Sequence, residues 1–135
     1  MKILGLDLGK KRIGVAFAED DVVSSLDTIV SADRDEAINK ISEICRRFEI
    51  DEIIMGMPIG HDESEDVVRS FALELNKTVN LPILYEDETL TSKEAERILK
   101  EKKINPRTEN YKQEVDRLSA KMILEQYLNK NSNGF

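Results

Sequence analysis

The hydrophobic period of this chain first changes near residue 33, and that change restricts the folds open to it. Before it, apolar residues come in three strand-length runs, 2–8, 13–19 and 22–30, separated by the polar turns Gly9-Lys10-Lys11-Arg12 and Asp20-Asp21. Connections this short favour an antiparallel meander. After it, Ile38, Ile41, Ile44, Cys45 and Phe48 recur at helical spacing, which predicts an amphipathic helix over about 34–49 with Asp33, Asp35 and Glu36 near its positive end. The pattern then predicts a buried strand at 53–57, a helix from Ser64 to Val79 and a strand at 82–85. A helix opened by Thr91 and Glu94 as a capping box follows, then a loop over 102–111 and a last helix over about 112–129. The order β-β-β-α-β-α-β-α-α implies an α/β fold. Its five-stranded mixed sheet joins the meander to parallel strands, with helices on both faces because parallel crossovers need them. In such sheets ligands sit at the carboxyl ends of the parallel strands.

A chain of 135 residues, 40% of them hydrophobic, has the length of one domain, and a single domain over 1–135 is expected. Cys45 is the one cysteine, which excludes an internal disulfide framework and a cysteine-based zinc cluster; its place on an apolar helix face predicts a small core residue. Asp7 would interrupt the apolar part of any signal peptide, and no apolar run reaches membrane-spanning length, so a cytoplasmic protein without a membrane partner is expected. The net charge of −7 would by itself repel phosphate backbones. The charge is uneven, however. Residues 1–88 carry 20 acids and 10 bases, whereas 89–135 carry 7 acids and 10 bases.

Three places carry candidate chemistry. Asp7 lies between Leu6 and Leu8 in a strand the topology makes central, where a lone carboxylate is costly unless it is paired or bound to metal; a turn-initiating aspartate is the equally weighted alternative. Glu86-Asp87-Glu88 ends the last strand, and adjacent carboxylates are relieved by a cation or a basic partner, although solvated loop acids look the same. Asp116 shares a helix stripe with Ala120, Ile123 and Tyr127; alone, it is explained more simply as an acid in the first turn of its helix. Together, acids from three elements at one end of the sheet would suit Mg²⁺ or Mn²⁺ and phosphodiester chemistry. His61, the one histidine, is expected to be an exposed loop residue. The basic set Lys93, Arg97, Lys100, Lys102, Lys103, Arg107 and Lys112 is either a nucleic-acid grip or a solvated helix face interspersed with Glu94, Glu96, Glu101 and Glu109; Tyr111 could stack on a base.

Four blocks resemble, in order, the motifs of the YqgF family: Gly5 to Ala16; Met55-Gly56-Met57-Pro58 with Asp62; Asp87-Glu88-Thr89-Leu90-Thr91 with Glu94-Ala95; and Val115-Asp116 with Ser119-Ala120 and Ile123-Leu124. These are bacterial RuvC-like proteins of ribonuclease H-like fold, described as candidate Holliday junction resolvases and as candidate pre-16S ribosomal RNA nucleases. The resemblance runs from residue 3 to about 128. It implies that Asp7, Glu88 and Asp116 are the catalytic, metal-holding acids, and that Lys11 and Arg12 contact phosphate. Lys10, Glu63 and Thr89 depart from the pattern, standing where threonine, glycine and arginine are usual; Lys93 or Arg97 could replace the missing arginine.

The expected function is therefore a metal-dependent nuclease using Mg²⁺ or Mn²⁺, with Lys11, Arg12 and Lys112 on the nucleic acid. Its substrate would be the 5′ end of precursor 16S ribosomal RNA or, in the alternative, branched DNA at a Holliday junction. Either a monomer or a homodimer is open, and a resolvase needs the dimer for symmetric cuts. From other classes, a non-catalytic RNA-binding assembly factor and a nucleotide-binding module stay open. The latter rests on Asp-x-Gly plus a basic turn, which also resembles the phosphate loop of actin-like and sugar-kinase ATPases.

Overall fold

The computed structural model describes residues 1–30, 33–88, 91–102, 105 and 107–132. Its elements are β1 (Lys2–Leu8), β2 (Arg12–Glu19), β3 (Val22–Val30), α1 (Arg34–Arg47), β4 (Glu52–Met57), α2 (Asp62–Val79), β5 (Ile83–Asp87), α3 (Thr91–Glu101) and α4 (Glu109–Ser132). The sheet runs β3-β2-β1-β4-β5. Within it β1–β2 and β2–β3 pair antiparallel, while β1–β4 and β4–β5 pair parallel. This is the expected mixed sheet. Asp20 and Asp21 both take positive φ, 48° and 72°, as a two-residue hairpin turn demands, and aspartate tolerates that region better than most side chains.

Strand alternation sorts the core into two layers. Leu4, Leu6, Ile13, Val15, Ile53 and Met55 face α1 and α2, meeting Ile38, Ile41, Cys45, Phe71 and Leu75. The opposite face sets Ile3, Ala16, Ala18 and Ile54 against Ala120, Ile123 and Leu124 of α4. Helices thus cover both faces. Cys45 is buried, as expected, and burial pushes its thiol up to about 11.

Small strand residues let α4 lie close to the sheet. A Cβ on Gly5 would sit 2.5 Å from Leu124 Cγ, and one on Gly14 would sit 2.1 Å from the Asp116 carbonyl oxygen. Polar ties fix its register as well. Arg117 donates to Asp27 on β3, Tyr127 Oη to Glu52 on β4 at 3.1 Å, and Gln126 Nε2 to Glu86 on β5 at 2.5 Å.

Several boundaries differ from the sequence pattern by a few residues, three of them with a local cause. Helix α2 begins at Asp62 rather than Ser64, because the Glu65 carboxylate folds back to accept the Gly60 N–H at 3.0 Å. Strand β5 runs on through Asp87, since Glu86 and Asp87 pair with Gly56 and Met57. Helix α4 begins at Glu109 rather than 112, because Thr108 Oγ1 accepts the Tyr111 N–H at 3.1 Å as a helix cap. The Thr91 side chain of the expected capping box lies outside the described residues, as do Thr89 and Lys103.

Candidate active site

The candidate acids meet on the α4 side of the sheet, at the carboxyl ends of β1 and β4. Asp7 points the same way as Ile3 and Gly5, and its antiparallel partner on β2 is Gly14. Because Gly14 has no side chain, α4 passes directly above it, which brings Asp116 beside Asp7. A matching arrangement holds on the other flank. The β1–β4 register pairs Leu6 with Met55, which sets Gly56 alongside Asp7. A Cβ on Gly56 would lie 2.7 Å from Glu88 Oε2, so the missing side chain is what lets the Glu88 carboxylate lean in. Glu88 is held just past β5 by its own N–H, which donates to the Met57 carbonyl at 3.1 Å.

Asp7 shares a side-chain hydrogen bond with Glu88. Burial, that bond and the Glu88 charge together hold the Asp7 carboxyl well above the ordinary carboxylate range. Asp116 is pushed up to about 6, chiefly by burial and then by the Asp7 charge, with Arg12 pulling the other way. The Arg12 guanidinium stands 3.9 Å from Asp116 Oδ2. Acids buried this close to one another form a set short of positive charge. Among the described residues, no three His, Cys, Asp or Glu side chains already surround one point where an ion could sit.

The other expected residues divide. The Gly9 N–H donates to the Arg12 carbonyl at 2.9 Å, closing the β1–β2 turn so that Lys10 and Lys11 stand exposed at the tip. Arg12, expected on phosphate, is largely buried and lies beside Asp116. Lys112 is exposed one helical turn before Asp116, on the same side of α4. Arg97 is held by Glu94 and Glu101 of its own helix, which limits it as a replacement for the arginine missing at position 89. His61 is exposed just before α2, and Tyr111 is partly buried in the first turn of α4.

Within the acidic run, Glu86 is buried, accepting from Gln126 and from Lys130 Nζ at 3.2 Å, while Gln126 also donates to the Asp87 carbonyl at 2.9 Å. It is a structural tie from β5 to α4. Asp116 lies two turns into α4, so the first-turn explanation for it no longer applies. Sequence reasoning assigned no role to Gly14, Gly56 or Gln126. Glycine inside a strand was the available signal for the first two, since it often marks close approach of another backbone.

A five-stranded mixed sheet of this order with helices on both faces is a ribonuclease H-like fold. The fowlpox virus resolvase in complex with Holliday junction DNA matches with a TM-score of 0.60 over 98% of this chain and 99% of that chain, at 13% identity. T. thermophilus RuvC in complex with a Holliday junction substrate matches at 0.58 over 98% and 97%, also at 13% identity. At such identity the likeness is one of fold. In sequence, the model of the RuvX family, described as Holliday junction resolvase, matches residues 1–130. A Syntrophus aciditrophicus (strain SB) protein named "Putative pre-16S rRNA nuclease" is 37% identical over 134 residues, 95% of this chain and 88% of that protein. The chain belongs to the RuvX family, the YqgF family its motif blocks resemble.

Proposed function

We propose that this chain is a single-domain, cytoplasmic, divalent-metal-dependent nuclease that hydrolyses phosphodiester bonds in structured RNA, acting at the 5′ end of precursor 16S ribosomal RNA. The observation that carries this is the convergence of Asp7, Glu88 and Asp116 from β1, the end of β5 and α4, with two glycines making room for it. The RNA substrate is carried over from the names of its relatives.

The donor set fits a hard cation in kind: carboxylate oxygens only, with Asp7 and Glu88 already in contact. Asp7 and Glu88 would hold Mg²⁺ or Mn²⁺, with Asp116 completing the set when it turns from Arg12. When bound, such an ion supplies charge neutralisation and Lewis-acid polarisation of the phosphoryl group. The chain's own residues do the rest. Asp7 ionises beside Glu88, Arg12 lets go of Asp116, and Lys10, Lys11 and Lys112 align the backbone by charge.

Incubation of precursor ribosomal RNA with Mg²⁺ or Mn²⁺ tests this. Cleavage by the wild type should fall by at least about a hundredfold in Asp7→Asn, the scale expected when a group that stabilises the transition state is removed. Full activity in that variant would refute the assignment. The family description favours a second substrate, a four-way DNA junction. That requires two copies for paired cuts, so a monomer in solution under cleavage conditions would exclude it.

A further inference from the structure

On the opposite side of the sheet from α4, the β1–β2 turn and the starts of α1 and α2 enclose a cavity of about 390 Å³. Small-ligand clefts span roughly 300–1,000 Å³, so it has the size of a binding site. Leu8, Ile13, Pro58, Val67 and Phe71 make its walls apolar. Lys10, Lys11, Arg12 and Arg34 set four cations around it against two carboxylates, Asp33 and Glu88. Arg34 is fixed in place. Its guanidinium lies 5.9 Å from the centre of the Phe71 ring, and its Nη1 donates to Ser70 Oγ at 3.1 Å.

Glu88 belongs both to this cavity and to the group of acids, so a ligand in the cavity lies next to the phosphodiester proposed to be cut. An inorganic phosphate would gain from the cations and nothing from the apolar walls. A flat heteroaromatic ring joined to a phosphate chain gains from both, because bases stack on apolar and guanidinium planes while lysines follow the backbone. A base inside a duplex cannot enter a cavity closed behind by a sheet, so the base must be unpaired.

We propose that this cavity receives the base of one unpaired nucleotide adjacent to the scissile phosphodiester, making the chain selective for cuts beside unpaired residues. This rests on the nuclease reading above for the word scissile, but occupancy by a base can be measured without hydrolysis. Val67 suits the test, being 52% exposed, so its replacement should leave the fold intact.

The probe is a short oligoribonucleotide with 2-aminopurine at its central position, whose fluorescence reports stacking as the intact protein is added. In Val67→Glu and, separately, in Arg34→Ala, half-saturation should shift about tenfold, as loss of one stacked base implies. An otherwise identical competitor with an abasic central position should displace the probe about tenfold less well than one carrying a base. The proposal is overturned if the abasic competitor is equally effective, if both variants titrate like the wild type, or if no oligonucleotide changes the fluorescence. Asp7→Asn keeps the two ideas apart: a preserved fluorescence response with unchanged hydrolysis sinks the carboxylate assignment and leaves the cavity standing.

Discussion

Asp7 ties the local chemistry together, because each neighbouring acid is defined by its relation to it. Burial and mutual repulsion favour the protonated form of Asp116, whose carboxyl is raised to about 6. An unfolded aspartate titrates near about 4, so the folded metal-free chain holds more protons between those values. The stability this contributes is present below about pH 4 and is lost as pH rises through about 6. Thermal melts in chelator should therefore show Asp116→Asn gaining on the wild type as pH goes from 4 to 7. Mg²⁺ or Mn²⁺ added at pH 7 should raise the melting temperature of the wild type and not that of Asp116→Asn, since only the ionised set binds the cation. Equal responses would mean that Asp116 is not part of the ion's surroundings. Glu86 shows the opposite design, a buried carboxylate whose Oε2 accepts from both Gln126 and Lys130. Gln126→Ala should cost about 1–3 kcal/mol in denaturant unfolding, because it strips a donor from a buried acceptor. Cleavage should fall as well, since Glu88 hangs two residues beyond that tie.

At the level of elements, everything depends on how closely α4 approaches β2, β1 and β4. The contacts at Gly14 and Gly56 differ in kind. A methyl at residue 14 meets a helix backbone carbonyl, whereas at residue 56 it meets Ile123 Cδ1 and Glu88 Oε2, the movable ends of side chains. Gly14→Ala should thus lower stability by about 1–3 kcal/mol, the usual range for overpacking, while Gly56→Ala should spare stability and impair cleavage by displacing Glu88. Calorimetry beside an activity assay would separate the two; similar melting losses would count against this division. Much of this scale was legible beforehand. Turn lengths of two to four residues dictated the meander, and the alternation of helical and strand periods after residue 33 placed the later elements. What the sequence pattern hid were boundaries set by side-chain bonds: the Thr108 cap, the Glu65 return to Gly60, and the extension of β5 carried by a buried Glu86. Hydrophobic periodicity carries no information about such bonds. The convergence of the three acids was legible from topology, but the turning of Asp116 toward Arg12 was not.

For the molecule as a whole, a net charge of −7 repels nucleic acid in general, so attraction must come from local contacts. Arg12 and Arg97 are already engaged by acids, which leaves Lys10, Lys11, Arg34 and Lys112 as the candidate grip. Three or four backbone contacts predict a slope of log affinity against log salt of about −2 to −3, at roughly −0.7 per contact on a single strand. A filter-binding titration across salt concentrations checks this, and a slope steeper than about −6 would require a basic surface larger than these residues provide. Among the described residues no helix is long and apolar enough to cross a membrane.

The placement of Asp116 on α4 also orders events in time. Among the described elements, the one carrying Asp116 is made after all of β1 to β5, and until it docks, one face of the sheet is bare and Asp7 and Glu88 lack Asp116 beside them. On the proposed assignment, the whole sheet is therefore made before the chain holds all three acids. On the proposed assignment, a hydrolase of phosphodiester bonds is in this way born inert and becomes competent through the same docking that buries Ile123 and Leu124, so folding itself acts as the safety catch.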